Sequence, residues 1–159
     1  MESQDNKAIT SVPIEAVLAG SKPPWRPVVA GWCALLLGPI AGALVAAASF
    51  RRMGEGRKAQ QTITYTLIAV VAVMVPVLLV LPADAPIKKL IAIAIEGAGF
   101  SVFPSVLRED YVKWKAANPG AKPRNDYASM GWALLGLVLY LVILALILMW
   151  EVWRRVTTH

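Results

Sequence analysis

Residues 28–50 read VVAGWCALLLGPIAGALVAAASF, 23 consecutive positions without a charge, with Arg26 before them and Arg51 after. Nothing else constrains the fold as strongly. At 1.5 Å per residue a helix of that length reaches about 35 Å, enough to cross a hydrocarbon core about 30 Å thick. Two further uncharged runs follow, TITYTLIAVVAVMVPVLLVL at 62–81 and MGWALLGLVLYLVILALILMW at 130–150. A fourth apolar stretch, LIAIAIEGAGFSVFPSVL at 90–107, is interrupted by Glu96, Gly97, Gly99 and Pro104. The run at 62–81 is rich in β-branched residues, which would favour a strand in water. A lone strand in lipid leaves its backbone groups unpaired, so helix prevails. The expected fold is therefore all-α: a polar, Pro-containing tail at 1–27 and one polytopic membrane domain at 28–159. That domain has four transmembrane helices, near 28–50, 62–81, 90–107 and 130–150.

The composition agrees. Hydrophobic types make up 57% of the 159 residues and charged types 16%, against about 45–50% and 25% in soluble domains. An ordinary soluble enzyme and a disordered chain are both excluded. Sixteen Lys or Arg outnumber ten Asp or Glu, and they flank the apolar runs. Lipid headgroups are the partner such placement fits, rather than nucleic acid. The N-terminus opens Met-Glu-Ser-Gln-Asp with no basic stretch, and its first apolar run is too long for a signal peptide. In the tail, Ile14, Val17 and Leu18 after Pro13 share one face of a short surface helix.

The third span is expected to be the least regular, bent or broken between Gly97 and Pro104, and to re-form as far as Ala117. Beyond it, 108–126 reads as an interfacial helix and loop. Glu109 and Lys113 form an i,i+4 pair there, and Leu107, Tyr111 and Trp114 share a face. The Arg108-Glu109-Asp110 run reads as solvated surface. Pro82 to Pro86 makes a turn, and Asp126 or Ser129 caps the last span. Trp25, Trp32, Trp132, Trp150 and Trp153 fall near expected interfaces, as an aromatic belt requires. Loops 51–61 and 108–126 hold nine Lys or Arg, against seven in the tails and 82–89. The positive-inside rule places those two loops in the cytoplasm.

No catalytic site and no metal site are expected. The one histidine is His159, the one cysteine is Cys33 within an apolar run, and phosphate-loop, GxSxG and HExxH motifs are absent. A cofactor is not implied. Glu96 is the informative polar residue, because a carboxylate at the centre of a membrane helix costs about 2.5–3.5 kcal/mol. It is expected to face the bundle or a protein contact, with Thr64, Tyr65 or Tyr140 as hydroxyl partners. Its role is either structural or a proton or cation path. Gly38 and Gly42, with Ala46, make a GxxxG-type stripe for helix packing, and Pro39 should kink the span. Arg51, Arg52, Arg57 and Lys58 read as contacts to headgroups or a partner.

The segment GPIAGALVAAASFRRMGEGRKA, roughly residues 36–59, resembles small uncharacterised bacterial multi-span membrane proteins. In these a GPLAG-type helix precedes a basic RRxG-type loop; Phe50 stands where many of them carry Asn. The resemblance implies a bacterial, integral membrane protein and no particular activity. Two functions remain open. One is a non-catalytic accessory or structural subunit packing against other membrane subunits. The other is a small oligomeric transporter or channel that uses Glu96.

Overall fold

Gly38 divides the first apolar run. The computed structural model describes residues 22–80 and 86–157. Within them lie α1 (Pro27–Leu37), α2 (Pro39–Arg52), α3 (Gly56–Val80), α4 (Pro86–Ala117), a 3₁₀ turn (Asp126–Ser129) and α5 (Met130–Thr157). No strand occurs among the described residues. The surface helix expected in the tail and most of the 82–86 turn lie outside them.

The expected span at 28–50 is not one helix. Pro39 has no N–H to continue α1, and its ring disfavours a helical residue before it. Gly38 adopts φ 91°, ψ 161°, a conformation open to a residue without a Cβ. Pro39 then starts α2 at its first position. The chain reverses. A Cβ on Gly42 would lie 2.5 Å from Ala34 Cβ and 2.8 Å from the Ala30 carbonyl oxygen. At the other end Arg52 stacks on Trp25, 5.0 Å from the ring centroid, and donates to the Pro23 carbonyl at 3.3 Å. The kink expected at Pro39 is thus a helical hairpin whose two ends meet. Its arms, 11 and 14 residues, reach only about 16 and 21 Å.

Three helices are long and apolar enough to cross a membrane, over Gly56–Val77, Lys89–Ala117 and Asp126–Trp150. They stand around the hairpin and touch one another only at scattered points. α2 packs against all four other helices and is buried from Pro39 through Phe50 except at Leu44. Its run of alanines explains this. A helix this small in side chain offers lipid little surface but lets backbones approach closely. Gly136 on α5 sits so tightly on α2 that a Cβ there would be 2.4 Å from Ala41 Cα. The hairpin leaves α2 through a Schellman motif, with Glu55 N–H donating to the Phe50 carbonyl at 2.9 Å and Gly54 N–H to Arg51 at 3.3 Å.

α4 is continuous from Pro86 to Ala117, so the break expected between Gly97 and Pro104 is absent; the helix does run to Ala117. Pro104 leaves the Phe100 carbonyl without its helical donor. Gly31 of α1 covers that oxygen, so closely that a Cβ would stand 2.8 Å from it and 2.8 Å from Pro104 Cγ. The proline sits where a neighbouring helix closes over the gap. The 3₁₀ turn before α5 is capped by Asn125, whose Oδ1 accepts from Tyr127 N–H at 3.2 Å. Neither Asp126 nor Ser129 caps it. Ser129 donates back to the Asp126 carbonyl.

Candidate functional site

Tyr140 lies ten residues into α5, about 15 Å along its axis. Its ring packs on the hairpin tip, with Cδ1 3.3 Å from where a Gly38 Cβ would be. The tip therefore reaches only to about the middle of the apolar helix Asp126–Trp150. Glu96, on the antiparallel α4, lies near the same level, close to Tyr140. It is half-buried and makes no hydrogen bond or ion pair with a described residue. Of the three hydroxyls expected beside it, Tyr140 is close enough to interact electrostatically. Tyr65 instead lines a groove on the α3 side, and Thr64 is exposed. Next to Glu96, Gly97 has open space where a Cβ would be. Ser101 and Ser105 follow at four-residue intervals, exposed, with hydroxyls donating to the Gly97 carbonyl at 3.4 Å and the Ser101 carbonyl at 2.8 Å. Folded back in this way, they present a smooth outer strip.

The other residues singled out in the sequence are placed as follows. Gly38 is the tip, Gly42 is the contact between the hairpin arms, and Ala46 is buried within α2. The basic group splits. Arg51 and Arg57 are exposed. Arg52 is held by Trp25 and Pro23, and Lys58 donates to both Asp110 oxygens at 2.8 Å. Glu109 and Lys113 form their i,i+4 pair on the surface at 2.5 Å.

Asp110 overturns the reading of 108–110 as solvated surface, being 7% exposed and paired across to α3. Trp25 is likewise no belt residue. It is 1% exposed, flanked by Arg52 and Arg124, and donates from Nε1 to the Asn125 carbonyl at 3.2 Å. Leu107 and Trp114 share a face as expected, but that face is buried in protein rather than laid on lipid. No periodicity marked Asp110, because its partner is 52 residues away. Of the neighbours of Trp25, Pro24 is buried and its carbonyl accepts from Arg124 N–H at 2.9 Å, whereas Arg26 is exposed.

Between α3 and α4 a groove opens sideways, with Pro39 and Phe50 of α2 as its floor. One lobe, of about 370 Å³, runs past Ala69, Val73, Ala98 and Gly99. The other, of about 320 Å³, ends at Lys58, Gln61 and Thr62. Tyr65, Thr66, Val102 and Phe103 line both, so the lobes adjoin. Among the described residues no three His, Cys, Asp or Glu side chains gather as a metal site would need. No protein-family model, curated protein or solved structure matches the chain.

Proposed function

We propose that the chain is a non-catalytic integral membrane subunit of a bacterial inner (plasma) membrane that packs against other membrane proteins. Glu96 carries this reading. A carboxyl group at half-depth, partly exposed and without a hydrogen-bond partner among the described residues, is costly in hydrocarbon. A donor from a neighbouring subunit would offset that cost. The strip of Gly97, Ser101 and Ser105 beside it lets a second helix come close. The bacterial origin rests on the resemblance over residues 36–59.

In this reading three helices span the membrane and the hairpin is re-entrant, so the count of four spans falls to three. The chain entering the hairpin then shares a side with loops 51–61 and 108–126. Eleven of the fifteen Lys or Arg after residue 21 fall on that side, and four, Lys88, Lys89, Arg154 and Arg155, on the other. The positive-inside rule favours that side as cytoplasmic more strongly than it does for four spans.

A second reading has its own observation. A hairpin that ends at half-depth beside a carboxyl group is the arrangement in which transporters place their ion sites. An oligomeric transporter or channel with Glu96 on its path is that alternative.

Purification in mild detergent separates the two. A heteromeric complex that survives Glu96→Gln and is lost in Glu96→Leu supports the subunit. A homo-oligomer whose ion flux in proteoliposomes is abolished by Glu96→Gln supports the transporter. A partnerless monomer indifferent to Glu96→Leu refutes both.

A further inference from the structure

The α3–α4 groove is elongated along the helices and open along one side. The length is set by α3, where Lys58 and Val73 are fifteen residues, about 22 Å, apart. The groove thus runs from the end of the bundle that bears most of the basic residues to the level of the hairpin tip, roughly the depth of one leaflet. The lining grades along that path. Lys58, Gln61 and Thr62 stand at the mouth; Thr66 and Tyr65 follow; Ala69, Val73, Ala98 and Val102 complete it. Tyr65 and Val102 are exposed, so the groove faces sideways into the surrounding membrane and needs no other entrance.

We propose that the groove between α3 and α4 binds one acyl chain of an anionic phospholipid, with the phosphate at Lys58 and Gln61. Charge selects the lipid class. Among residues 22–80 and 86–157, the end of the bundle that holds the mouth carries eleven Lys or Arg against four Asp or Glu, namely Glu55, Glu109, Asp110 and Asp126. Such a surface attracts anionic headgroups by about 1 kcal/mol per cation. Lys58 is held at the mouth by both Asp110 oxygens with its side chain 45% exposed; a phosphate oxygen there would take the ammonium's third donor. The Gln61 amide adds two neutral donors one turn along α3. The acyl chain packs on the apolar flanks of Tyr65, Val102 and Phe103; it comes from hydrocarbon rather than water, so this packing adds only dispersion contact and the headgroup sets the preference. This inference requires membrane embedding but not the subunit reading of Glu96.

The test is photocrosslinking of the full-length protein in nanodiscs, with phosphatidylglycerol or phosphatidylcholine carrying a diazirine in one acyl chain. Adducts are located by peptide mass spectrometry. The expected result is phosphatidylglycerol adducts concentrated at residues 65–73 and 98–106, at least fivefold above phosphatidylcholine. Ala69→Trp fills the groove from the α3 wall at an exposed position, and Gln61→Glu places a negative charge at the mouth. Each should reduce adducts at those residues at least fivefold, while adducts at Val142 and Leu146 on α5 stay constant as a folding control. Equal labelling of all lipid-facing helices, unchanged by Ala69→Trp, would mean annular lipid only and overturns the proposal. Equal groove labelling by the two lipids overturns the anionic assignment. A co-purifying protein crosslinked in the groove overturns the lipid itself.

Discussion

Gly136→Ala adds one methyl group where none fits. Its Cβ would stand 2.4 Å from Ala41 Cα, 2.7 Å from Ala41 N and 3.0 Å from Ala41 Cβ. Two of those atoms are backbone, so no rotamer change relieves the clash. α5 and α2 must separate by about 1 Å to restore ordinary packing. A gap of 0.5–1 Å already forfeits about a quarter to a half of a dispersion well, and the seating of Tyr140 on the hairpin tip loosens with it. Overpacking of this kind costs about 1–3 kcal/mol. Gly131→Ala is the same chemical change five residues earlier on the same helix, with nothing within 4 Å of the new Cβ. Helix propensity there favours alanine by between zero and about 1 kcal/mol. Thermal unfolding in one detergent reads both variants, at about 2–4 °C per kcal/mol for a chain of this size. The expected outcome is a lower Tm for Gly136→Ala and an unchanged or raised Tm for Gly131→Ala. Equal shifts at the two positions would refute the idea that α2 and α5 touch through their backbones.

Lys58→Met strands the buried Asp110 and should cost about 1–3 kcal/mol, since one partner of the pair is half-exposed; Lys58→Met with Asp110→Leu should recover most of that in a double-mutant cycle. Trp25→Ala removes a buried ring that joins the hairpin entrance, Arg52 and the loop at 124–125. A destabilisation of about 3–5 kcal/mol is expected, with limited proteolysis opening first within 118–126. In a background lacking Cys33, cysteines placed at Lys22 and Gly120 should react with an impermeant reagent from the same face. Labelling of position 22 from the opposite face would restore a continuous first span and end the hairpin reading.

The long helices were legible because hydropathy and length are local properties. Charges marked their ends less well: α3 starts at Gly56, inside the expected basic loop, and α5 runs past Arg155 to Thr157. The hairpin was not legible, since 23 uncharged residues serve equally for one helix of about 35 Å or two of half that length. The clue was present in Gly38-Pro39 and in the alanines of α2, which suit protein contact better than lipid. Pro104 misled for the opposite reason. Its cost depends on whether something covers the Phe100 carbonyl, and Gly31 of α1 does so 69 positions earlier in the chain. Glu96 was conspicuous as the one carboxylate in an apolar run, but its lack of a partner among the described residues could not be read from its neighbours. Lys58 and Asp110 looked like two unrelated surface charges. The groove depends on how far apart the hairpin holds α3 and α4, a spacing no single segment encodes.

The hairpin also dictates an order of assembly. Its arms are synthesised before the helices that surround them. Its turn at Gly38 leaves peptide groups at half-depth, where lipid supplies no hydrogen bonds. Tyr140 and Ala41's contact with Gly136 come from α5, nearly a hundred residues later in synthesis. Until α5 arrives, the arms have no finished place in the membrane and are best held at its surface or by insertion machinery. In the proposed re-entrant reading, the hairpin enters and leaves on one face, so seating it would carry no charged segment across the bilayer and could come late without the cost of translocating a span. On that reading, closure of the hairpin then waits for α5.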